Sequence, residues 1–289
     1  MPDEILKITR GFWQLIRPLN VFIALLSVWV GAFMSAEYHL NKTLILAAIA
    51  AACIAAGANV INDIFDVEID RINKPHRPIA SGRIHIKTAW IVFFCMYGIG
   101  LALAVYCGKE LFTIAIMNAT LLFFYSYKLK GTVIWGNLVV SFTSAVTFIY
   151  GGLTVNDAFV GLFPALFAFC FHFGREIIKD MQDIKGDLRY DAVTFPGKYG
   201  LTKSILLINI IFTILLILTF IPYIYNIYNK SYLIMVILGV DTVLLFVSVI
   251  LWYKNDPVTL GMLSHLLKLD MFVGILSILI GARHVVLFD

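Results

Sequence analysis

Long apolar segments dominate the sequence and restrict its possible folds more than any other feature. About nine of them have the length of about 20 residues that a helix needs to cross the hydrocarbon of a bilayer. Backbone groups exposed to lipid must be satisfied within the segment, and these segments are too long for barrel strands, so we predict helices. The predicted spans are residues 18–38, 43–62, 88–107, 111–127, 133–152, 158–178, 204–224, 232–253 and 269–287. The sequence therefore predicts an all-α polytopic membrane protein.

The distribution of lysine and arginine predicts the orientation of these spans. Only 14% of the residues are charged, whereas an average soluble domain has about 25%. With nine spans, all of the 22 lysines and arginines fall on one side of the bilayer except Lys42, Lys109, Lys230 and Arg283. Cytoplasmic loops carry the excess of basic residues. We predict a multi-pass protein of the cell membrane, with its N-terminus and its charged loops in the cytoplasm.

Carboxylates are concentrated in the segment INDIFDVEIDRINKPHRP, residues 61–78, at the end of the second span. Asp63, Asp66 and Asp70 are spaced three and then four residues apart, which places them within about 60° of one another on a helix face. Asn62 lies beside this stripe. Like charges stacked on one face destabilise a helix, and a bound cation would explain why they are there.

The segment REIIKDMQDIKGD, residues 175–187, repeats this arrangement at the end of the sixth span. Asp180, Asp183 and Asp187 have the same spacing. Both spans run toward the cytoplasm, so the two acidic faces enter the site in the same direction. A solvated helix end could explain one such cluster, but two clusters with identical spacing at equivalent helix ends favour a shared site.

The residue types in these two segments predict a magnesium–diphosphate site. Carboxylate and amide oxygens suit Mg²⁺, which is typically held by a few carboxylates together with the phosphate oxygens of a substrate. Interleaved basic residues would donate charge-assisted hydrogen bonds to the phosphate oxygens that the metal leaves free. These candidate phosphate-binding residues are Arg71, Lys74, Arg77, Arg175, Lys179 and Lys185.

A diphosphate site beside apolar helices predicts prenyl chemistry. An allylic diphosphate ionises when metal and cations neutralise the leaving pyrophosphate. The allyl cation must then be shielded from water by apolar or aromatic side chains, and the 23 Phe and 13 Tyr can provide some of these. Either an alcohol oxygen or an electron-rich ring carbon could capture the cation.

The two acidic segments resemble the two signatures of the UbiA superfamily of intramembrane prenyltransferases. NDIFDVEIDRINKPHRPIASG (62–82) is similar to the N-x-x-x-D-x-x-x-D signature, and KDMQDIKGD (179–187) is similar to the second. The resemblance covers nearly the whole chain. It implies one UbiA-type domain over residues 1–289, helices that enclose a central cavity, an active site at the cytoplasmic side, and Mg²⁺ as cofactor. The implied ligands of Mg²⁺–diphosphate are Asn62, Asp66, Asp70, Asp183 and Asp187, with Asp63 and Asp180 close by. The implied catalytic residues are Asp66, Asp70, Asp183 and Asp187.

Two shorter segments resemble family segments that face the diphosphate. They are IRPLN before the first span and YSYKLKG after the fourth. Tyr125 could instead belong to the interfacial aromatic belt, and the excess of cytoplasmic basic residues alone could explain Lys128 and Lys130. The substrate-binding candidates from these segments are Arg17, Asn20, Tyr125, Lys128 and Lys130.

The acceptor is harder to predict. GDLRYDAVTFPGKYG (186–200) lacks the Lys-Ser-Thr-Ala stretch of branches that prenylate 4-hydroxybenzoate. The two signatures are most similar to the glycerol-lipid branch, which joins a geranylgeranyl group to the free hydroxyl of geranylgeranylglyceryl phosphate and makes an ether lipid. If the acceptor carries a phosphate, Arg189, Lys198 and Lys203 could bind it, although ordinary loop charge also explains them. An aromatic acceptor, such as 4-hydroxybenzoate or homogentisate, stays open.

An ion-coupled transporter is the alternative from another class of protein. Transporters place coupling carboxylates near the bilayer midplane on broken helices, whereas these lie at helix ends beside basic residues. The sequence therefore favours an enzyme, a prenyltransferase whose partners are a prenyl diphosphate, a lipid-phosphate or aromatic acceptor, and the lipid bilayer. No nucleic-acid partner is expected.

Overall fold

The chain folds into membrane-spanning helices, as predicted. The computed structural model describes residues 2–35, 38–187 and 193–282, with side chains over 9–35, 38–184 and 193–282. No β-strand occurs within these ranges. The helices are α1 Pro2–Ile16, α2 Pro18–Phe33, α3 Lys42–Phe65, α4 Val67–Asn73, α5 Ile86–Tyr106, α6 Lys109–Tyr127, α7 Trp135–Leu153, α8 Leu162–Asp187, α9 Phe195–Tyr199, α10 Leu201–Ile224, α11 Lys230–Val236, α12 Thr242–Tyr253 and α13 Pro257–Gly281.

Eight stretches are long and apolar enough to cross a bilayer, and a bent pair of helices at the N-terminus makes a possible ninth. The pair is Thr9–Ile16 with Pro18–Phe33, bent by 43°. A π-helical turn, Ile237–Asp241, joins α11 and α12 into one span. The prediction of about nine spans is confirmed within the described part of the chain.

The last span differs from its predicted position. It was expected at 269–287, whereas α13 runs from Pro257 to Gly281. Asp256 caps this helix, because its carboxylate accepts hydrogen bonds from the backbone N–H groups of Val258 and Thr259, and Pro257 suits the first helical position. Lys268 therefore lies inside a helix rather than in a loop. The predicted end, 283–289, lies outside the described residues.

The bend in the first span occurs at Arg17. Its φ and ψ angles are 54° and 72°, in the left-handed region, which a residue with a side chain adopts only rarely. Pro18 then starts α2 with a fixed φ. This joint places the Arg17 side chain between α1, α2 and the end of α3, where it meets Asp63.

Small residues allow α2 and α7 to cross closely. A Cβ added to Gly31 would collide with the carbonyl oxygen of Phe148, and one added to Gly151 would collide with that of Val28. The two helix backbones therefore touch at both places, as small residues permit in membrane proteins. On either side of this crossing lie two apolar clusters, one around α8 and α10 to α13, the other around α3, α5 and α6.

Candidate active site

A cavity of about 750 Å³ opens among the helices. Its apolar wall includes Ile54, Ile114, Phe167, Phe171 and Ile275. Its charged lining is supplied mainly by the end of α8, the bend at Arg17 and the segment after α4. An amphiphilic molecule with an anionic head group and an apolar tail fits such a lining.

The acids of the first signature lie buried at the junction of α3 and α4. Asn62 is 9% exposed, Asp63 2%, and Asp66 and Asp70 3% each. Asp66 ends α3 and begins α4, so the helical path hardly breaks and the predicted stripe is kept. Burial of this much negative charge requires paired cations.

Arg77 is the cation that all three aspartates of this stripe share. Its guanidinium lies 3.2 Å from the Asp63 carboxylate, 3.7 Å from Asp66 and 2.5 Å from Asp70. Lys130 also pairs with Asp66, and Arg17 with Asp63. Three separate segments of the chain thus supply the countercharge.

The segment after α4 also connects the two signatures. Lys74 Nζ lies 2.5 Å from Asp183 Oδ2 on α8, and Asn73 Nδ2 lies 3.4 Å from the carbonyl oxygen of the same residue. Asp180 accepts a hydrogen bond of 2.7 Å from Asn137 of α7. The side chains of Lys185 and Asp187 lie outside the described residues. We name the group of Asp63, Asp66, Asp70 and Asp183 with Arg17, Lys74, Arg77 and Lys130 the aspartate cluster.

Burial and neighbouring charges shift the pKa values of the groups in this cluster that lie outside the spans. Burial raises the pKa of Asp70 above its ordinary value, although Arg77 opposes the shift. Burial would lower the pKa of Arg77, but Asp63, Asp70 and Asp66 raise it above the usual range. Burial would also lower the pKa of Lys130, but the negative charge of Asp66 raises it above its ordinary value. The two cations keep their charge.

A second charged group lies on the preceding turns of α8. Glu176, 5% exposed, accepts hydrogen bonds of 2.9 and 2.7 Å from Lys179 Nζ and a longer one of 3.4 Å from Arg175. The Nε of Arg175 also donates to the carbonyl oxygen of Ser264 on α13, at 3.1 Å. Lys268, one turn further along α13, lines the same part of the cavity. We name Arg175, Glu176, Lys179 and Lys268 the Glu176 cluster.

The remaining predicted residues divide between the cavity and the surface. Tyr125 lines the cavity. Asn20 also lines it and donates to Asn59 at 3.1 Å. Arg71 instead lies exposed, paired with Glu68, and Lys128 is exposed, so the structure does not bring either of them to the cavity lining. As for the loop cations, Lys198 and Lys203 are exposed beside the Tyr199 ring, and Arg189 lies outside the described residues.

Sequence reasoning missed one polar residue of the site, misplaced a second, and recognised the position of a third without assigning it to the site. Asn137 contacts Asp180, but a lone Asn in an apolar span carries no pattern. Lys268 was assigned to a loop because the start of the last span was misplaced. Glu176 had a signal, since it stands four residues before Asp180, as Asn59 does before Asp63.

The donor set suits a hard divalent cation that a substrate helps to bind. No three Asp, Glu, His or Cys side chains converge into a closed metal site in the part of the chain whose side chains are described. Mg²⁺ does not require one, because one or two carboxylates plus substrate phosphates commonly hold it. The carboxylates of Asp66 and Asp70 on one side and Asp183 on the other fit that type of site.

The sequence is similar to that of known intramembrane prenyltransferases. The model of the UbiA prenyltransferase family matches residues 24–268. The chain belongs to the UbiA prenyltransferase family. It is 33% identical over 269 residues to a digeranylgeranylglyceryl phosphate synthase of Methanosphaera stadtmanae, covering 93% of this chain and 98% of the relative. It is 37% identical over 242 residues to the synthase of that name from Sulfurisphaera tokodaii, covering 82% and 86%.

Solved structures of UbiA proteins have the same fold. A digeranylgeranylglyceryl phosphate synthase superposes with a TM-score of 0.75 at 30% identity, over 95% of this chain and 98% of that one. A UbiA homologue from Archaeoglobus fulgidus, bound to DMAPP and Mg²⁺, superposes with a TM-score of 0.67 at 17% identity, over 92% and 99%. The predictions of an all-α membrane protein and of a UbiA prenyltransferase are therefore confirmed, and the transporter alternative is not supported.

Proposed function

We propose that this UbiA prenyltransferase transfers a geranylgeranyl group from its diphosphate to the free hydroxyl of geranylgeranylglyceryl phosphate. The products are an ether lipid and diphosphate, and the reaction depends on Mg²⁺. The observation that carries the proposal is an apolar cavity lined at its charged end by Lys74 and Arg77. These two cations pair with aspartates of both signatures, Lys74 with Asp183 and Arg77 with Asp70. The similarity to relatives named digeranylgeranylglyceryl phosphate synthase supports this acceptor.

The acids and the cations of the aspartate cluster have different roles in the proposed reaction. Asn62, Asp66, Asp70, Asp183 and Asp187 would hold Mg²⁺, which supplies charge neutralisation of the leaving diphosphate. Lys74, Arg77 and Lys130 would exchange their carboxylate partners for diphosphate oxygens, because charge-assisted hydrogen bonds to phosphate are strong. These cations already lie within ion-pair distance of the carboxylates that would hold the metal.

The apolar wall would control the fate of the allyl cation. Phe148, Phe167 and Phe171 line the cavity, and aromatic faces stabilise cations without reacting as nucleophiles. Exclusion of water from this part of the cavity favours capture by the acceptor hydroxyl over hydrolysis.

The proposal includes the orientation predicted from the basic residues. The aspartate cluster and the N-terminus would face the cytoplasm, and the chain would cross the cell membrane several times as one domain. Cysteine labelling of intact cells tests this arrangement. A cysteine placed at exposed Lys254 should resist an impermeant reagent, whereas one placed at exposed Lys109 on the opposite side should react.

A competition among acceptors tests the proposed reaction. Purified protein in detergent receives labelled geranylgeranyl diphosphate, Mg²⁺ and equal amounts of geranylgeranylglyceryl phosphate, 4-hydroxybenzoate and homogentisate. We expect the label in the glycerophosphate product, and none of it without Mg²⁺. Labelling of an aromatic acceptor alone would overturn the proposal.

A further inference from the structure

The aspartate cluster is close to electrically balanced. Its four carboxylates, Asp63, Asp66, Asp70 and Asp183, are paired with four cations, Arg17, Lys74, Arg77 and Lys130. Asp180, nearby on α8, adds a further acid. An anion that binds there must therefore bring positive charge of its own, which a diphosphate does when it arrives with Mg²⁺.

The Glu176 cluster has the opposite balance. One carboxylate, Glu176, serves both Lys179 and Arg175. Lys268 has no ion-pair or hydrogen-bond partner among the described side chains, and it lines the same cavity as Arg175, Arg17 and Lys179. The cluster of three cations and one anion is left with a surplus of about two positive charges, in a cavity between apolar helices, where charges interact more strongly than in bulk water.

Two facing helices, α8 and α13, position the cations of the Glu176 cluster. Arg175 is fixed by its hydrogen bond to the Ser264 carbonyl oxygen, and Lys268 follows Ser264 by one turn of the same helix face. Arg175 and Lys268 therefore stand at a similar depth on facing helices, α8 and α13. Lys179 completes the group one turn of α8 nearer to Asp183.

We propose that Arg175, Lys179 and Lys268 form a second anion site, distinct from the metal–diphosphate site, which binds the phosphate monoester of the acceptor. The inference rests on the proposed function and adds the residues that select the acceptor. A phosphate monoester carries about 1.5 to 2 negative charges at neutral pH, which matches the surplus without a metal ion. The carboxylate of an aromatic acceptor carries only one negative charge and would leave Lys268 without a partner.

Substitution of Lys268 separates the two anion sites. The variants are Lys268→Met, which keeps the length of the side chain, and Lys268→Arg, which keeps the charge. Lys254→Gln removes an exposed lysine at the end of α12 and is the matched control. Steady-state kinetics are measured separately for geranylgeranyl diphosphate, for geranylgeranylglyceryl phosphate, and for geranylgeranylglycerol, the acceptor without its phosphate.

Loss of one charged partner of a phosphate should raise the KM for geranylgeranylglyceryl phosphate about 10- to 100-fold in Lys268→Met. The KM for geranylgeranyl diphosphate should change less than about threefold. Lys268→Arg should restore most of the acceptor affinity. With geranylgeranylglycerol, wild type and Lys268→Met should perform alike, because the group that Lys268 binds is absent.

Binding without turnover gives a second readout. In EDTA, geranylgeranylglyceryl phosphate should still raise the Tm of wild-type protein but not that of Lys268→Met, whereas stabilisation by geranylgeranyl diphosphate should need Mg²⁺. A larger effect of Lys268→Met on the diphosphate KM than on the acceptor KM would overturn the second site and leave the proposed reaction intact. Absence of any glycerophosphate product from wild type would overturn the proposed function itself.

Discussion

The aspartate cluster and the Glu176 cluster lie on successive turns of α8, yet their charge balance differs. In the aspartate cluster each buried acid has a basic partner, whereas in the Glu176 cluster one acid is shared and Lys268 has no described partner. Net charge, rather than residue type, thus decides which anion each cluster can bind. The aspartate cluster requires an anion that arrives with a metal ion, and the Glu176 cluster requires an anion that arrives without a metal ion.

Removal of a carboxylate from the aspartate cluster should have the largest effect. Asp66→Ala and Asp183→Ala are each expected to lower kcat by about 10³-fold or more, or about 4 kcal/mol of transition-state stabilisation, because a ligand of the metal is lost. The rate is measured with labelled donor at saturating Mg²⁺. Glu68→Gln, at an exposed acid of α4 that pairs with Arg71, serves as the control. Near-normal turnover in a folded Asp66 or Asp183 variant would remove the metal assignment.

Neutralisation of Glu176 should reduce stability more than chemistry. Glu176→Gln leaves Arg175 and Lys179 without their shared carboxylate, and loss of one partner of a buried ion pair costs about 3 kcal/mol. The Tm in detergent should fall by several degrees, and geranylgeranylglyceryl phosphate should restore most of it by supplying negative charge. Glu110→Gln, at the exposed start of α6, should leave the Tm unchanged. If the Glu176 variant is as stable as wild type without ligand, the Glu176 carboxylate does not stabilise the neighbouring cations.

Removal of Arg77 should give the aspartate cluster a net negative charge. Arg77→Gln frees carboxylates that the guanidinium contacts at 2.5 to 3.7 Å, so the Mg²⁺ concentration for half-maximal rate should fall about threefold to tenfold. Turnover should fall about 10- to 100-fold, because one charge-assisted contact to the diphosphate is lost. A Mg²⁺ titration of the rate measures both effects, with exposed Lys87→Gln as the control. If Arg77→Gln changes neither the Mg²⁺ concentration for half-maximal rate nor the turnover, Arg77 does not contact the diphosphate.

The parts of the molecule that were predictable are those with a one-dimensional signal. Apolar length predicts most spans, and the three-then-four spacing of Asp63, Asp66 and Asp70 predicts their shared face. The start of α13 was missed because Ser264, Lys268 and Asp270 lower the local hydropathy while facing the cavity or the interior rather than lipid. Hydropathy does not distinguish a polar residue in a loop from one that lines an internal cavity.

Ion-pair partners were not predictable, because they depend on how helices meet. Lys74 follows Asp70 by four residues in the sequence but pairs with Asp183, 109 residues away. Arg71, one residue from Asp70, turns outward to Glu68. The sequence therefore predicts which residues take part in the charged end of the cavity but not which cation balances which acid, and the surplus at Lys268 becomes visible only in three dimensions.

The smallest effect is expected at the exposed cations after α8. Lys198 and Lys203 lie 5.3 and 5.7 Å from the centre of the Tyr199 ring, and neither lines the cavity. Exposed charges are well screened, so Lys198→Gln and Lys203→Gln should change the KM for geranylgeranylglyceryl phosphate less than about threefold, well below the change expected for Lys268→Met. The same kinetic assay compares all three variants at low and at physiological salt. If the loop variants weaken acceptor binding more than Lys268→Met does, the acceptor phosphate lies at the loop and the positive surplus inside the cavity serves the diphosphate instead.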